Sequence, residues 1–104
     1  MKRYTLDSSV YDEQNNTWYM RGYPRWYWYR IDGPAVVYKN GDKWWYTNGN
    51  LNRLDGPAIE AFGGEQFWYI NSKYFLHYKH YLKAVRKLID DETYFMLVLT
   101  YGTE

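Results

Sequence analysis

Cysteine is absent from this chain of 104 residues. That excludes a disulfide framework and a thiolate metal site, so stability has to come from packing. Long apolar runs are missing as well. The longest, Tyr94 to Leu99, falls far short of the roughly 20 residues that span a bilayer. Met1-Lys2-Arg3-Tyr4 leads into polar residues instead of an apolar stretch, so no signal peptide is expected and the expected location is the cytoplasm. Charge is nearly balanced, at a formal +1. A sequence-blind nucleic-acid binder needs many spare cations for phosphates, and a membrane-surface protein needs a comparable excess; neither is expected. Acidic residues are missing from one stretch only. Lys73 to Lys87 holds five basic residues and no acid.

What the chain has instead is aromatic side chains: 14 Tyr, 6 Trp and 4 Phe. Each ring buries roughly 150–250 Å², so a few can hold a small domain together, and Tyr and Trp carry polar tips that suit binding surfaces. The aromatics follow a repeat. Asp32-Gly33-Pro34-Ala35 recurs 23 residues later as Asp55-Gly56-Pro57-Ala58. Trp45-Tyr46-Thr47-Asn48-Gly49 likewise recurs as Trp68-Tyr69-Ile70-Asn71-Ser72. A fixed internal period decides the fold class before any other feature.

Each full copy is expected to be a hairpin. Strand-prone residues flank Asn40-Gly41 in one copy and Gly63-Gly64 in the next, both pairs suited to a two-residue turn with positive φ. Asp-Gly-Pro makes a tight bend before a strand. A worn copy precedes them, in which Trp18-Tyr19-Met20-Arg21-Gly22 aligns on Trp45 to Gly49. Four extra residues separate it from the next copy, between Gly22 and Asp32, in the aromatic stretch Arg25-Trp26-Tyr27-Trp28-Tyr29. After the repeats, apolar residues at helical spacing predict an amphipathic helix over about 77–90, ended by Asp90-Asp91-Glu92. Tyr94 to Tyr101 is expected to be a last buried strand, with a helical continuation as the alternative. The expected fold is a single mainly β (α+β) domain over 1–104. It is an antiparallel meander of stacked hairpins with one C-terminal helix and a final strand, divided into a degenerate repeat (10–31) and two repeats (32–54 and 55–76).

Trp45-Tyr46-Thr47-Asn48-Gly49-Asn50-Leu51-Asn52-Arg53-Leu54-Asp55-Gly56-Pro57-Ala58 resembles the MORN-variant repeats built on Trp-Tyr-x-Asn-Gly-x-x-His-Arg-x-Asp-Gly-Pro-Ala. These recur in small uncharacterised proteins of tailed bacteriophages and bacteria. The resemblance covers about residues 18–75; Asn52 replaces the usual His, and the aromatic insertion interrupts the first copy. It implies a β-meander and, by association, a phage origin. No active-site residues come with it.

Strand alternation puts Trp18, Trp45 and Trp68 with Met20, Thr47 and Ile70 on one face, expected to be core. Tyr19, Tyr46 and Tyr69 with Thr17, Trp44 and Phe67 take the other, expected to be partly exposed unless the helix covers it. The insertion divides evenly between a sheet extension, by pairing with the N-terminal strand, and an interface. Surplus Trp, Tyr and Arg are typical interface anchors, so Arg25, Trp26, Tyr27, Trp28, Tyr29, Trp44 and Tyr46 are the candidate protein-binding residues. Lys79, Lys83, Arg86 and Lys87 are the candidate phosphate contacts, the solvated helix face being the ordinary reading. His77 and His80 share a helical face but lack a matching carboxylate, so no metal is expected; Asp32 and Asp55 belong to the repeated bend. No cofactor and no catalytic residue are expected. The expected function is a non-enzymatic phage accessory protein that binds and inhibits a host protein. The alternative is nucleotide or short oligonucleotide binding by stacking on the rings. Aromatic edge strands also invite a homodimer.

Overall fold

The computed structural model describes residues 2–4, 10–12, 16–21, 26–28 and 33–103, with side chains at 16–18 and 33–103. The fold is α+β, a meander-like antiparallel sheet followed by two helices. Strands β1 (Lys2–Tyr4), β2 (Val10–Asp12) and β3 (Thr17–Arg21) pair in turn. From β3 the sheet continues through β5 (Val36–Val37), β6 (Lys43–Trp44), β9 (Ile59–Glu60), β10 (Gln66–Ile70) and β11 (Lys73–Phe75). β4 (Trp26–Trp28) branches from β3, and β7 (Tyr46–Thr47) pairs with β8 (Asn50–Leu51) as a separate hairpin.

The repeat is visible in the backbone bonds. The Trp18 N–H donates to the Ala35 carbonyl at 2.7 Å, and the Trp45 N–H donates to the Ala58 carbonyl at 2.7 Å. Thr17 pairs with Val36 as Trp44 pairs with Ile59. The second hairpin of each unit keeps register too: Tyr46 faces Leu51, Tyr69 faces Tyr74, and Tyr19 faces Trp28. The first pairs are five residues apart and the last is nine, so the four extra residues lengthen the β3–β4 hairpin. Trp28 takes the register position of Leu51 and Tyr74.

The turns differ from the expectation. The Gly41 N–H donates to the Tyr38 carbonyl, and the Tyr38 N–H to the Asp42 carbonyl. Lys39-Asn40 therefore form the turn, and Gly41, at φ 101°, is the extra bulge residue that follows it. The second hairpin repeats this. The Gly64 N–H donates to the Ala61 carbonyl, and Gly64 alone of its glycine pair has positive φ, at 96°. The Asp42 carboxylate accepts the Phe62 N–H at 2.6 Å and so ties one hairpin tip to the next. The two-residue, positive-φ type does occur, at Asn48-Gly49 and Asn71-Ser72.

The C-terminal segment corrects two further expectations. The helix α1 covers only Tyr78–Val85, so Arg86 and Lys87 lie in the turn that follows it. Asp90-Asp91-Glu92 starts a helix instead of ending one. The Asp90 carboxylate accepts the Thr93 N–H at 2.7 Å, and Asp91 and Glu92 sit in the first turn of α2 (Asp91–Tyr101), where the helix dipole favours anions. Tyr94 to Tyr101 is therefore helix and no final strand forms. Apolar residues on both sides of α2 imitate a buried strand in sequence.

Arg53 holds the repeated corner. Its guanidinium lies 3.9 Å over the Trp45 ring, bonds Asp55 and Glu60 at 2.9 Å each, and donates to the Pro57 carbonyl at 3.1 Å. Burial opposes its charge, but the bonds to Glu60 and Asp55 more than offset that, so its pKa is raised. Gly56 is needed for room: a Cβ there would sit 2.6 Å from the Arg53 Cζ. The Tyr81 hydroxyl, on α1, reaches the Arg53 carbonyl at 2.6 Å and the Gly56 carbonyl at 3.1 Å, which docks the helices on this corner.

Two glycine substitutions separate space from backbone strain. Gly64→Ala has open space but a left-handed φ, and it is expected to cost about 1 kcal/mol in urea unfolding. Gly56→Ala forces the Arg53 guanidinium off its partners and is expected to cost about 3 kcal/mol, although its φ is unstrained.

Candidate aromatic surface

The helices cover the Trp face of the sheet at its Trp68 end, which settles a question the sequence left open. Trp18 and Trp45, expected in the same core, are half-buried and lie outside it, Trp45 with the Arg53 guanidinium over its ring. Trp68 is 6 % exposed and packs against Tyr78, Tyr81 and Tyr101, with ring centroids 4.6, 4.7 and 5.1 Å away. Phe75, Leu82, Val85 and Leu97 complete this core. The opposite face carries Trp44, Tyr46, Phe67 and Tyr69, and among the described residues neither helix packs on it. Cross-strand pairing explains why these side chains line up. Thr17, Val36, Trp44, Ile59 and Phe67 stand opposite one another across five strands, and Tyr46 and Tyr69 follow Trp44 and Phe67 at the two-residue strand period.

Exposure along this face is graded. Tyr38 is 42 % exposed and meets the Trp44 ring edge-on at 5.5 Å; Tyr74 is 45 % exposed and meets Tyr69 at 5.2 Å. Trp44 and Tyr69 are half-buried. Tyr46 departs from the expectation of a surface residue. It is buried among Ala35, Val36 and Leu51 with its ring stacked on Trp44. Alternation alone does not reveal this packing. The Trp44 indole N–H is buried and has no hydrogen-bond partner among the described residues, an arrangement that ordinarily costs about 1–3 kcal/mol.

Of the other candidates, Arg25 and Tyr29 lie outside the described residues. Trp26, Tyr27 and Trp28 form β4, paired to Arg21, Met20 and Tyr19, so the segment does join the sheet, on β3 instead of the expected N-terminal strand β1; their side chains lie outside the described set. The four basic residues are exposed, but Arg86 is engaged: it bonds Asp91 at 2.7 Å and lies 4.5 Å over the Tyr94 ring. Lys79 and Lys83 are on α1, across the sheet from the aromatic face. His77 and His80 are exposed with rings 5.7 Å apart, and no group of three or more potential metal ligands occurs among the described residues. Sequence reasoning missed Tyr38 and Tyr74. The register relation of Tyr74 to Tyr69, five residues earlier, was the available signal for Tyr74.

Comparison of the chain with protein-family models, with curated proteins and with solved structures finds no match in any of the three. Among the described residues, no helix is long and apolar enough to cross a membrane.

Burial, and then the neighbouring Tyr38 and Tyr69, push the Tyr46 hydroxyl up to about 12; burial also raises Tyr81, Tyr78 and Tyr101. A free tyrosine titrates near pH 10. The folded state thus holds these protons more tightly than the unfolded chain. The resulting stability is complete below about pH 10 and is lost as pH rises toward about 12. Urea unfolding followed across that range is expected to show this alkaline loss, and Tyr46→Phe is expected to reduce it.

Proposed function

We propose that the protein is a non-enzymatic binding module whose recognition surface is the helix-free aromatic face. The observation that carries this reading is the row of partly exposed rings, Tyr38, Trp44, Tyr69 and Tyr74, held at fixed spacing by strand register. A rigid sheet presents them, so little side-chain freedom is lost when a partner docks. Tyr and Trp are the residues that most often anchor protein interfaces. The nucleotide reading needs rings and cations on one surface, whereas Lys79 and Lys83 stand on the other side of the sheet from this row. The narrower reading, a small phage accessory protein that binds and inhibits a host protein, rests on the likeness of Trp45 to Ala58 to the MORN-variant repeats.

Tyr38→Ala and Tyr74→Ala test the surface, because both residues are exposed enough to be replaced without unfolding the domain. Affinity capture from bacterial lysate is expected to lose its specific partner when both are replaced, while the thermal melt shifts little. Unchanged capture by the double variant would discard this face. Trp26→Ala with Trp28→Ala tests separately whether β4 belongs to the same surface.

A further inference from the structure

The helix α2 is apolar on every side, although only one side faces the core. Leu97 is buried, and Tyr94, Val98 and Tyr101 pack on the cluster around Trp68. On the outward side Phe95 is 61 % exposed, Met96 55 % and Leu99 64 %. Helical periodicity gathers these three on one face together with Glu92. A helix that is apolar all round is ordinarily buried, so the outward face lacks a cover.

Charge placement indicates what that cover is. The two helices run antiparallel: at one end the Tyr78 hydroxyl donates to the Gly102 carbonyl, and at the other Arg86 bonds Asp91. Lys79, exposed and next to Tyr78, therefore stands at the C-terminal end of α2. Glu92, also exposed, stands at the N-terminal end. An apolar centre with opposite charges at its two ends is complementary to itself about a two-fold axis. An anionic membrane fits less well, since Glu92 shares this face.

We propose that α2 packs antiparallel against α2 of a second copy of this chain. Phe95, Met96 and Leu99 of both copies lie between the helices, and Glu92 of each lies beside Lys79 of the other. One helical hairpin per copy makes a small interface, so the dimer dissociates in the micromolar range. This face is separate from the aromatic face and does not depend on it.

Sedimentation equilibrium of the full chain from micromolar to millimolar concentration tests the proposal. The expected result is a doubling of mass across that range. Leu99→Asp, at an exposed position, is expected to stay monomeric with an unchanged circular-dichroism spectrum; Met96→Glu serves as a second variant should the first fail to fold. Glu92→Lys or Lys79→Glu alone is expected to weaken association about tenfold, and the two together to restore it. A wild-type monomer at all concentrations would overturn the proposal. So would dimerisation of Leu99→Asp and Met96→Glu at wild-type strength, or no effect of either charge reversal. Leu99→Asp keeps the aromatic face intact, so loss of the dimer and loss of partner capture are read independently.

Discussion

The contact on which the rest depends is the seat of Arg53 on the Trp45 ring. From that position one guanidinium spans Asp55, the Pro57 carbonyl and Glu60, and so fixes the Asp-Gly-Pro corner against strand β9. The same corner offers its carbonyls at Arg53 and Gly56 to the Tyr81 hydroxyl. A local bend thus becomes the docking point of the helices. Gly56 completes it by giving up the space a side chain would occupy. The chain has no disulfide. Its corner is closed instead by one half-buried cation, a ring and a tyrosine hydroxyl.

Once the helices are seated there, the two faces of the sheet have different fates. Trp68 is enclosed by Tyr78, Tyr81 and Tyr101, an arrangement that favours tilted and edge-on rings over a flat stack. Among the described residues, no helix lies over the Tyr69 side. Rings that fill a core on one side are therefore left as a surface on the other. The proposed binding role follows from this asymmetry, not from any reactive group.

How much of this was legible in the sequence varies from residue to residue. The 23-residue repeat, the hairpins and the place of Trp68 in the core could be read from spacing alone, because strand alternation and turn residues are local properties. The same alternation assigned Trp18 and Trp45 to the core, and they are only half-buried. Asn40-Gly41 misled because the same dipeptide serves both a two-residue turn and a turn followed by a bulge; the bond from Gly41 to Tyr38 decides it. Asp90-Asp91-Glu92 misled because acids next to a helix mark its end or the start of the next one, and a change of chain direction at Ile89 separates the two cases. Tyr46 was placed on the surface by alternation, which gives a direction but not what packs around the ring, here Ala35, Val36 and Leu51. The side of the sheet that takes the helices depends on Arg53 and Tyr81, 28 residues apart, and no local pattern contains that pairing.

The central claim is that the helices cover the Trp68 face and leave the Tyr38–Tyr74 face open to solvent. Photochemical labelling of aromatic rings in the native protein, resolved by residue, tests it most directly. The account predicts that Tyr38 and Tyr74 react readily while Trp68 and Tyr81 stay protected until the protein unfolds. Ready labelling of Trp68 and Tyr81, with Tyr38 and Tyr74 protected, would contradict it.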